Sequence, residues 1–216
     1  MYVIKTVVTS FAQSNCYLVM DPETKDGFVV DPGDDAPRII RDMESFGIRP
    51  KAILMTHGHF DHILAADELK AHYGIPTCIG ENDFEMAKDA KLNGGIFLPN
   101  SRSMEADRKL KDGEVLELFT PVRVIETPGH TAGGVCFYLP AEGILFTGDT
   151  LFLETVGRTD LYGGSMKKLL SSIEEKLCVL PEETRVYPGH GFPTTIGHET
   201  YFNPYLNQTC EGGSHG

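Results

Sequence analysis

One short segment, Thr56-His57-Gly58-His59-Phe60-Asp61-His62, holds three imidazoles and a carboxylate. The chain has 8 histidines, so three of them in one loop is a marked concentration. Imidazole and carboxylate are the side chains that proteins use to bind zinc, manganese and iron. Because these four groups leave the chain in diverging directions, a single ion cannot easily take all of them. The segment therefore predicts a site for two adjacent metal ions.

Three later loops share one arrangement, in which a candidate ligand follows an apolar strand that ends in a tight turn. The ligands are His130 in Thr127-Pro128-Gly129-His130-Thr131, Asp149 in Phe146-Thr147-Gly148-Asp149-Thr150 and His190 in Tyr187-Pro188-Gly189-His190-Gly191. A glycine precedes each ligand and permits an unusual, close backbone turn. If the strands lie side by side, these loops converge on one edge of a sheet.

The four loops supply more ligands than one catalytic zinc ion takes, which is typically three side chains and a water. We assign to the first ion His57, His59 and His130. We assign to the second ion Asp61, His62 and His190. Asp149 is the remaining carboxylate, and we expect it to bridge the two ions. Water between two divalent ions is acidified to hydroxide near neutral pH, so the set predicts a hydrolase.

The elements around the first segment can hold it in place. The apolar run 52–55 is bounded by Pro50 and predicts a buried strand, and the amphipathic run 63–73 predicts a helix. The segment is therefore a loop between a strand and a helix, with rigid flanks on both sides.

The rest of the chain divides into two runs of strands, each followed by helices. Strands are predicted at 2–8, 16–20, 28–30, 52–55, 75–79, 115–118, 122–126, 135–139, 144–147 and 185–187. Helices are predicted from Pro37 to Phe46, over 63–73, from Asn82 to about Lys91 and from the cap Ser165 to Leu177. This order indicates two packed sheets with helices outside. Residues 93–107 lack periodicity and are interpreted as a long loop that can flank a substrate cleft.

Composition limits the class of protein. The chain has 216 residues, of which 41% are hydrophobic and 23% charged, as in soluble globular proteins. A net charge of -12 argues against a nucleic-acid partner. No apolar run approaches the ~20 residues of a membrane span, and the N-terminus lacks the pattern of a signal peptide. We predict one domain over residues 1–216 and no nucleic-acid or membrane partner. The sequence does not indicate the oligomeric state.

The cysteines and the remaining histidines predict no further site. The 5 cysteines include no Cys-x-x-Cys pair, and three lie in apolar runs as core thiols. This favours a reducing compartment and a cytoplasmic location. His72 is assigned to the negative end of a helix dipole, His198 to a loop and His215 to a disordered tail. Asp31 has two interpretations, a carboxylate that supports the metal site or a turn-former that caps backbone amides.

The motif Thr-His-x-His-x-Asp-His at 56–62, with His130, Asp149 and His190 following in order, resembles that of the metallo-β-lactamase superfamily. The resemblance implies the α/β class and a four-layer αββα sandwich with a dinuclear site on one edge. It also implies that Asp31 supports that site.

Within the superfamily the chain looks most like the short, single-domain glyoxalase II-type thioesterases, the hydroxyacylglutathione hydrolases. The similar segments are Pro128-Gly129-His130-Thr131, residues 146–152, Gly157-Arg158 and residues 187–197. The resemblance implies a small-molecule substrate, S-lactoylglutathione or a related acyl thioester. A hydroxide between two divalent metal ions would cleave it, and Asp61 would orient that hydroxide. Zinc is the first expectation for the metal, with iron or manganese as alternatives.

Substrate contacts are expected from three residues, Arg158, Tyr162 and Phe192. Phe192 stands near the point where longer glyoxalase II enzymes have a tyrosine. Those enzymes also add a C-terminal helical domain that grips glutathione, and we expect none here. Recognition of glutathione is therefore left open.

Two other chemistries remain open on the same scaffold. Gly157-Arg158-Thr159-Asp160 also occurs in the related persulfide dioxygenases, for which the resemblance implies one iron held by His57, His130 and Asp149. Against that alternative, those enzymes carry Pro-Ala-His-Asp-Tyr where this chain has Pro-Gly-His-Gly-Phe. Lactone hydrolysis is the other alternative. A β-lactam substrate is less favoured, and so is a non-enzymatic metal-binding module, because all seven ligands are present.

Overall fold

Six strands from the first half of the chain form one sheet in the computed structural model, which describes residues 3–10, 13–98 and 102–206. They are β1 (Val3–Val8), β2 (Asn15–Met20), β3 (Asp26–Val30), β4 (Arg49–Met55), β5 (Thr77–Gly80) and β6 (Arg108–Leu110). The strands are hydrogen-bonded in chain order. β1 to β3 pair antiparallel, whereas β3 to β6 pair parallel.

The second half of the chain supplies a second six-stranded sheet and a short hairpin. The strands are β7 (Val115–Glu117), β8 (Pro121–Glu126), β9 (Val135–Leu139), β10 (Ile144–Gly148), β11 (Leu151–Phe152), β12 (Thr155–Val156), β13 (Arg185–Pro188) and β14 (Thr194–Thr195). The sheet has the order β14-β13-β10-β9-β8-β7, and β11 pairs with β12 alone. β10 and β13 are parallel, and the other neighbours in this sheet are antiparallel.

Helices cover the outer faces and connect the strands. They are α1 (Ala36–Phe46), α2 (Phe60–Ile63), α3 (Ala66–Tyr73), α4 (Phe84–Lys88), α5 (Met166–Ser172) and α6 (Ile196–Phe202). α1 has a proline in its first turn and ends at Gly47, whose left-handed φ of 69° suits glycine. α5 begins at the predicted cap, since the Ser165 side chain accepts the Lys168 amide, and continues as a π-helical turn over Ile173–Leu177.

Three apolar layers account for the stacking of sheets and helices. Alternate side chains of β2 point to opposite faces, so Leu18 packs beneath α1 and α3 while Tyr17 packs between the sheets. The layer between the sheets also contains Phe28 and Phe146, both fully buried. On the far side of the second sheet, Leu169 belongs to the layer under α5 and α6. The predicted four-layer αββα sandwich is confirmed.

The predicted helix over 63–73 is interrupted in the structure, because α2 ends at Ile63 and α3 begins at Ala66. Two hydrogen bonds from other parts of the chain explain the break. The Ala65 amide donates to the Pro32 carbonyl (2.9 Å), and the Asp61 carbonyl accepts from the Ser14 hydroxyl (2.6 Å). Both groups would otherwise serve the helical ladder.

Other differences concern short elements. The predicted boundary at Pro50 was wrong, since β4 begins at Arg49 and a register shift lies between Gly27 and Val29 of its partner strand. β6, β11, β12, β14 and α6 were not predicted. His198 lies in α6 and not in a loop, and its Nε2 is 3.0 Å from Glu154 Oε1.

The described cysteines are free. Cys16, Cys78 and Cys136 are buried, as predicted for core thiols, and Cys178 is half-buried. Cys210 and His215 lie outside the described residues. None of the helices within the described ranges has the length and apolar character that a membrane crossing requires.

Replacing Phe146 by alanine tests the central layer. Its ring centroid lies 5.1 Å from that of Tyr17 in the other sheet and 5.5 Å from that of Tyr187 on the neighbouring strand of its own sheet. We expect Phe146→Ala to lower the free energy of unfolding by ~3–5 kcal/mol, because the lost contacts leave a cavity. Urea unfolding measures this. Phe97→Ala, at a side chain that is 90% exposed, should change it by less than about 0.5 kcal/mol; equal effects would contradict the layer assignment.

Candidate metal centre

The loops that carry the predicted ligands meet at one edge of the sandwich, where strands of both sheets end. Backbone hydrogen bonds join the two sheets at this edge. The Val135 amide donates to the Thr56 carbonyl (2.8 Å), and the Asn15 amide donates to the Gly189 carbonyl (2.7 Å). The ligand loops are therefore fixed relative to one another by the backbone itself.

The first cluster contains His57, His59 and His130. Their ligand atoms lie within 4.8 Å of one another, and all three side chains are buried. His59 Nδ1 and His130 Nε2 face each other at 2.9 Å. The structure thus brings together the three residues that we assigned to the first ion.

The second cluster contains Asp61, His62 and His190, which also lie within 4.8 Å of one another. Asp61 Oδ2 is 3.5 Å from His62 Nε2 and 3.3 Å from His190 Nε2. These are the three residues that we assigned to the second ion.

Asp149 lies between the clusters. Its Oδ1 is 3.5 Å from His62 Nε2, and its Oδ2 is 3.6 Å from His130 Nε2 and 3.8 Å from His190 Nε2. One carboxylate thus faces both groups, which is the placement that a bridging ligand requires. Its role as a bridge stays a prediction.

The donor set fits divalent cations. Among the described residues, three of its atoms are buried without a hydrogen-bond partner: His57 Nε2, His62 Nε2 and Asp149 Oδ1. Buried polar atoms normally have a partner, since leaving one unsatisfied is costly. Ligand atoms ~2.1 Å from a tetrahedral ion lie ~3.4 Å apart. The carboxylate-to-imidazole separations of 3.3 to 3.8 Å are of this size.

Backbone carbonyls orient two of the imidazoles from behind. His130 Nδ1 donates to the Arg158 carbonyl (2.7 Å), and His190 Nδ1 donates to the Gln13 carbonyl (3.3 Å). A carbonyl only accepts, so the proton of each neutral ring is on Nδ1. The lone pair of Nε2 therefore faces the cluster, as a metal ligand requires.

Asp31 orients two further imidazoles. Its Oδ2 accepts from His62 Nδ1 (3.0 Å) and from the Thr56 hydroxyl (2.7 Å), and the oxygen of that hydroxyl lies 3.0 Å from His57 Nδ1. Its Oδ1 accepts the Thr56 amide (2.7 Å). The interpretation of Asp31 as support for the metal site therefore holds, because the amide that it accepts belongs to Thr56 of the ligand loop and not to its own turn. Asp31, His57 and His62 form a third group of close donors, but both oxygens of Asp31 are engaged in these hydrogen bonds.

The two clusters differ in charge. Burial, together with the neighbouring imidazoles, lowers the pKa of His57 well below its usual value and that of His59 to about 4. Burial also acts to lower the pKa of His62, but the carboxylates of Asp61 and Asp149 outweigh it and raise that pKa well above the usual value. Burial opposes ionisation of Asp61 too, yet His62 and His190 hold the pKa of Asp61 below its usual value. His57 and His59 therefore offer neutral nitrogens, whereas the second cluster contains the ionised carboxylate of Asp61, which attracts a cation.

Gly189 has a steric reason to be glycine. A Cβ at this position would lie 2.2 Å from Asp149 Oδ1 and 2.8 Å from His62 Cε1. Glycine at 189 allows the backbone to lie close to these two ligands. Gly129 and Gly148 instead have the positive φ values expected of the predicted turns.

A cavity of about 600 Å³ opens onto both clusters and contains two of the predicted substrate residues, Arg158 and Tyr162. Its wall includes Asn93 and Phe97, so the predicted long loop flanks the cleft. Phe192 lines an adjoining depression, which shares Phe152 and His190 with the cavity. The Arg158 guanidinium is paired with Asp160 through two contacts of 2.7 Å.

Sequence reasoning missed two polar residues that hold the ligand loops. Asn15 Nδ2 donates to the carbonyls of Pro188 and Gly191, on either side of His190 (3.0 Å each). The Ser14 hydroxyl holds the Asp61 carbonyl. Their only signal was a polar turn before a buried strand, and nothing local to that turn indicates partners so distant in the chain.

Comparison with protein families gives a match over most of the chain. The family model described as Metallo-beta-lactamase superfamily matches residues 9–190. The hydroxyacylglutathione hydrolase GloC of Haemophilus influenzae is 39% identical over 208 residues, which cover 93% of this chain and 95% of that protein.

Two solved structures share the fold along nearly their whole length. The crystal structure of BLEG-1 B3 metallo-beta-lactamase has a TM-score of 0.89 and 38% identity, and covers 94% of this chain and 99% of its own. The crystal structure of TTHA1623 in a di-iron-bound form has a TM-score of 0.82 and 36% identity, and covers 94% of this chain and 100% of its own.

Removing one imidazole of the second cluster tests the assignment of ligands. We expect His190→Ala to lower the affinity for one of two divalent ions. The loss should exceed the roughly 10–100-fold that is typical when a hydrogen-bond partner of a ligand is removed. The other ion should bind as before. Titration of the metal-free protein with Zn²⁺ against a chromophoric chelator measures both affinities. His198→Ala, at a histidine outside the clusters, is the control, and a variant of His190 that still binds two ions tightly would refute the assignment.

Proposed function

Because this chain belongs to the metallo-beta-lactamase superfamily of metal-dependent hydrolases, we propose that it cleaves the thioester bond of S-lactoylglutathione or of a related acyl thioester. One observation carries the choice of bond. Apart from the two clusters and Asp149 between them, the described lining of the cavity contains no carboxyl or imidazole group; its other titratable side chains are Lys91, Arg158 and Tyr162. The site is therefore poor in groups that can protonate a leaving group.

A thiolate leaving group suits such a site. A thiol has a pKa of ~8.5, so the sulfur can depart as an anion. An amine or an alkoxide must instead receive a proton from a positioned acid as it leaves. The chemistry of the lining thus favours a thioester over a bond that needs an acid.

The metal ions are proposed to be zinc, with iron or manganese as alternatives. His57, His59 and His130 would hold one ion, and Asp61, His62 and His190 the other, with Asp149 between them. When bound, two divalent ions supply a water of lowered pKa and a Lewis acid for the substrate carbonyl. The di-iron form of TTHA1623 supports iron as the alternative.

Asp61 is proposed as the catalytic carboxylate. It lies on the cavity wall, and its lowered pKa keeps it ionised at neutral pH. An ionised carboxylate only accepts hydrogen bonds. It can therefore accept one from the attacking water and direct the oxygen lone pair toward the carbonyl carbon.

Substrate binding is proposed to combine apolar and cationic contacts. Phe97, Leu161 and Tyr162 line the cavity with exposed apolar surface, and Lys91 and Arg158 supply positive charge. This combination fits an acyl group on an anionic carrier such as glutathione. The name of the GloC relative supports the same substrate class.

A substrate panel distinguishes this proposal from its rivals. We expect the purified, metal-loaded protein to hydrolyse S-lactoylglutathione or another acyl thioester, as followed by thiol release with a chromogenic reagent. The panel includes a lactone, a β-lactam because of the similarity to BLEG-1, and glutathione persulfide in an oxygen electrode. Oxygen uptake, or turnover of a lactone or β-lactam without any thioester, would overturn the proposal.

The role of Asp61 predicts a loss of rate. We expect Asp61→Asn to lower kcat/KM by at least ~100-fold, because positioned proton acceptors contribute on the order of 10²–10⁴. Steady-state kinetics at matched metal content measures this. Asp21→Asn, at an exposed turn, serves as the control, and an Asp61 variant within ten-fold of the parent would contradict the role.

For Arg158 we expect an effect on substrate binding and not on the rate of the chemical step. Its guanidinium is exposed and already paired with Asp160, so it can contribute only a weak charge contact to substrate. We expect Arg158→Ala to raise KM for glutathione thioesters by about 3–10-fold with little change in kcat, since the contact is the same in ground and transition states. The KM of a thioester with an uncharged thiol should not change. A fall in kcat alone would argue against this contact.

A further inference from the structure

Asp83 is a fully buried carboxylate outside both clusters. It lies in the 3₁₀ turn Glu81–Asp83, which follows β5, and has no exposed surface. Burial raises its pKa, and the hydrogen bonds that it accepts oppose that shift. A buried carboxylate is rare unless its hydrogen bonds are satisfied, so its partners indicate its purpose.

Three donors from two different loops converge on Asp83. Its Oδ2 accepts the Gly58 amide (3.0 Å) and the Thr131 hydroxyl (2.6 Å). Its Oδ1 accepts the Gly133 amide (2.6 Å). All three partners are hydrogen-bond donors, which matches an acceptor-only carboxylate.

The two loops are those that carry the first cluster. Gly58 stands between His57 and His59 in the chain, and Thr131 follows His130 directly. The packing here is tight, since a Cβ on Gly133 would lie 2.2 Å from the Asp83 amide nitrogen. Asp83 thus links the backbone of the His57-Gly58-His59 segment to the His130 loop.

We infer that Asp83 is a positioning residue for the first metal ion. By holding both loops, it sets the separation between His130 and the His57–His59 pair. This inference rests on the metal assignment of the proposed function and is independent of the thioester substrate. None of the three donors is adjacent in the chain to Asp61, His62 or His190, so we expect the effect of Asp83 to fall on the first ion.

Asparagine at this position is a sharp probe. It has the same shape but only one acceptor oxygen, so its NH₂ group must face at least one N–H or O–H donor. Asp83→Asn therefore loses at least one of the three hydrogen bonds and sets a donor against a donor there, which weakens the link without opening a cavity. Thr131→Val removes only one of the three bonds and serves as a milder second variant.

Asp107 offers a matched control. It also accepts a backbone amide and a threonine hydroxyl, both from Thr77 at the start of β5 (2.9 Å each). It contacts neither ligand loop through these bonds. Asp107→Asn thus repeats the chemical change at a site that should not affect either ion.

The experiment titrates the metal-free proteins with Zn²⁺ against a chromophoric chelator. We expect Asp83→Asn to lower the affinity for one ion by about 10–100-fold and to leave the affinity for the other unchanged. Thr131→Val should lower the affinity for the same ion by less. Asp107→Asn should match the parent protein. Equal weakening of both ions, or of neither, would overturn the inference, and Thr131→Val decides if Asp83→Asn does not fold.

Combination with the second-cluster variant assigns the affected ion. Asp83→Asn together with His190→Ala should bind neither ion with the parent affinity, because each change weakens a different site. If the double variant still binds one ion with the parent affinity, Asp83 does not act on the first cluster. A parent protein that binds fewer than two ions would defeat the proposed metal assignment itself and is recognised before any variant is compared.

Discussion

The rest of the structure depends on one constraint, which is that seven polar ligand side chains must be held close together at one edge of the sandwich. Five imidazoles and two carboxylates turn their ligand atoms toward common points, with separations of 2.9 to 3.8 Å between neighbouring groups. Removing so many polar groups from water is costly, so free side chains would not adopt this arrangement. Both sheets therefore end at this edge, and backbone bonds between them fix the loops. Acceptors behind the rings then determine which nitrogen faces inward.

The asymmetry of the site follows from its two kinds of support. The first cluster is a buried set of imidazole nitrogens, whereas the second adds the carboxylate of Asp61, which attracts a cation. Asp149 faces both, and the cavity opens on the same side as Asp61. A chain with a net charge of -12 can in this way concentrate positive charge at a single place, where an anionic substrate can bind.

Features with a local signature could be predicted from the sequence. The ligands are recognisable because each follows an apolar strand and, for three of them, a glycine turn. The two sheets and the long helix after Ser165 have clear periodicity. The break between α2 and α3 could not be predicted, because its causes, Ser14 and Pro32, lie far away in the chain. Asn15 and Asp83 were missed for the same reason, since each looks like an ordinary turn residue until its distant partners are known.

The most direct test of the central claim is anomalous diffraction from crystals of the metal-loaded protein, recorded above and below the absorption edge of the bound metal. The account predicts two peaks. One should lie about 2.0–2.1 Å from ring nitrogens of His57, His59 and His130, and the other at such a distance from His62, His190 and Asp61, with Asp149 in contact with both. A single peak held by His57, His130 and Asp149 alone would contradict the dinuclear site and, with it, the proposed hydrolase chemistry.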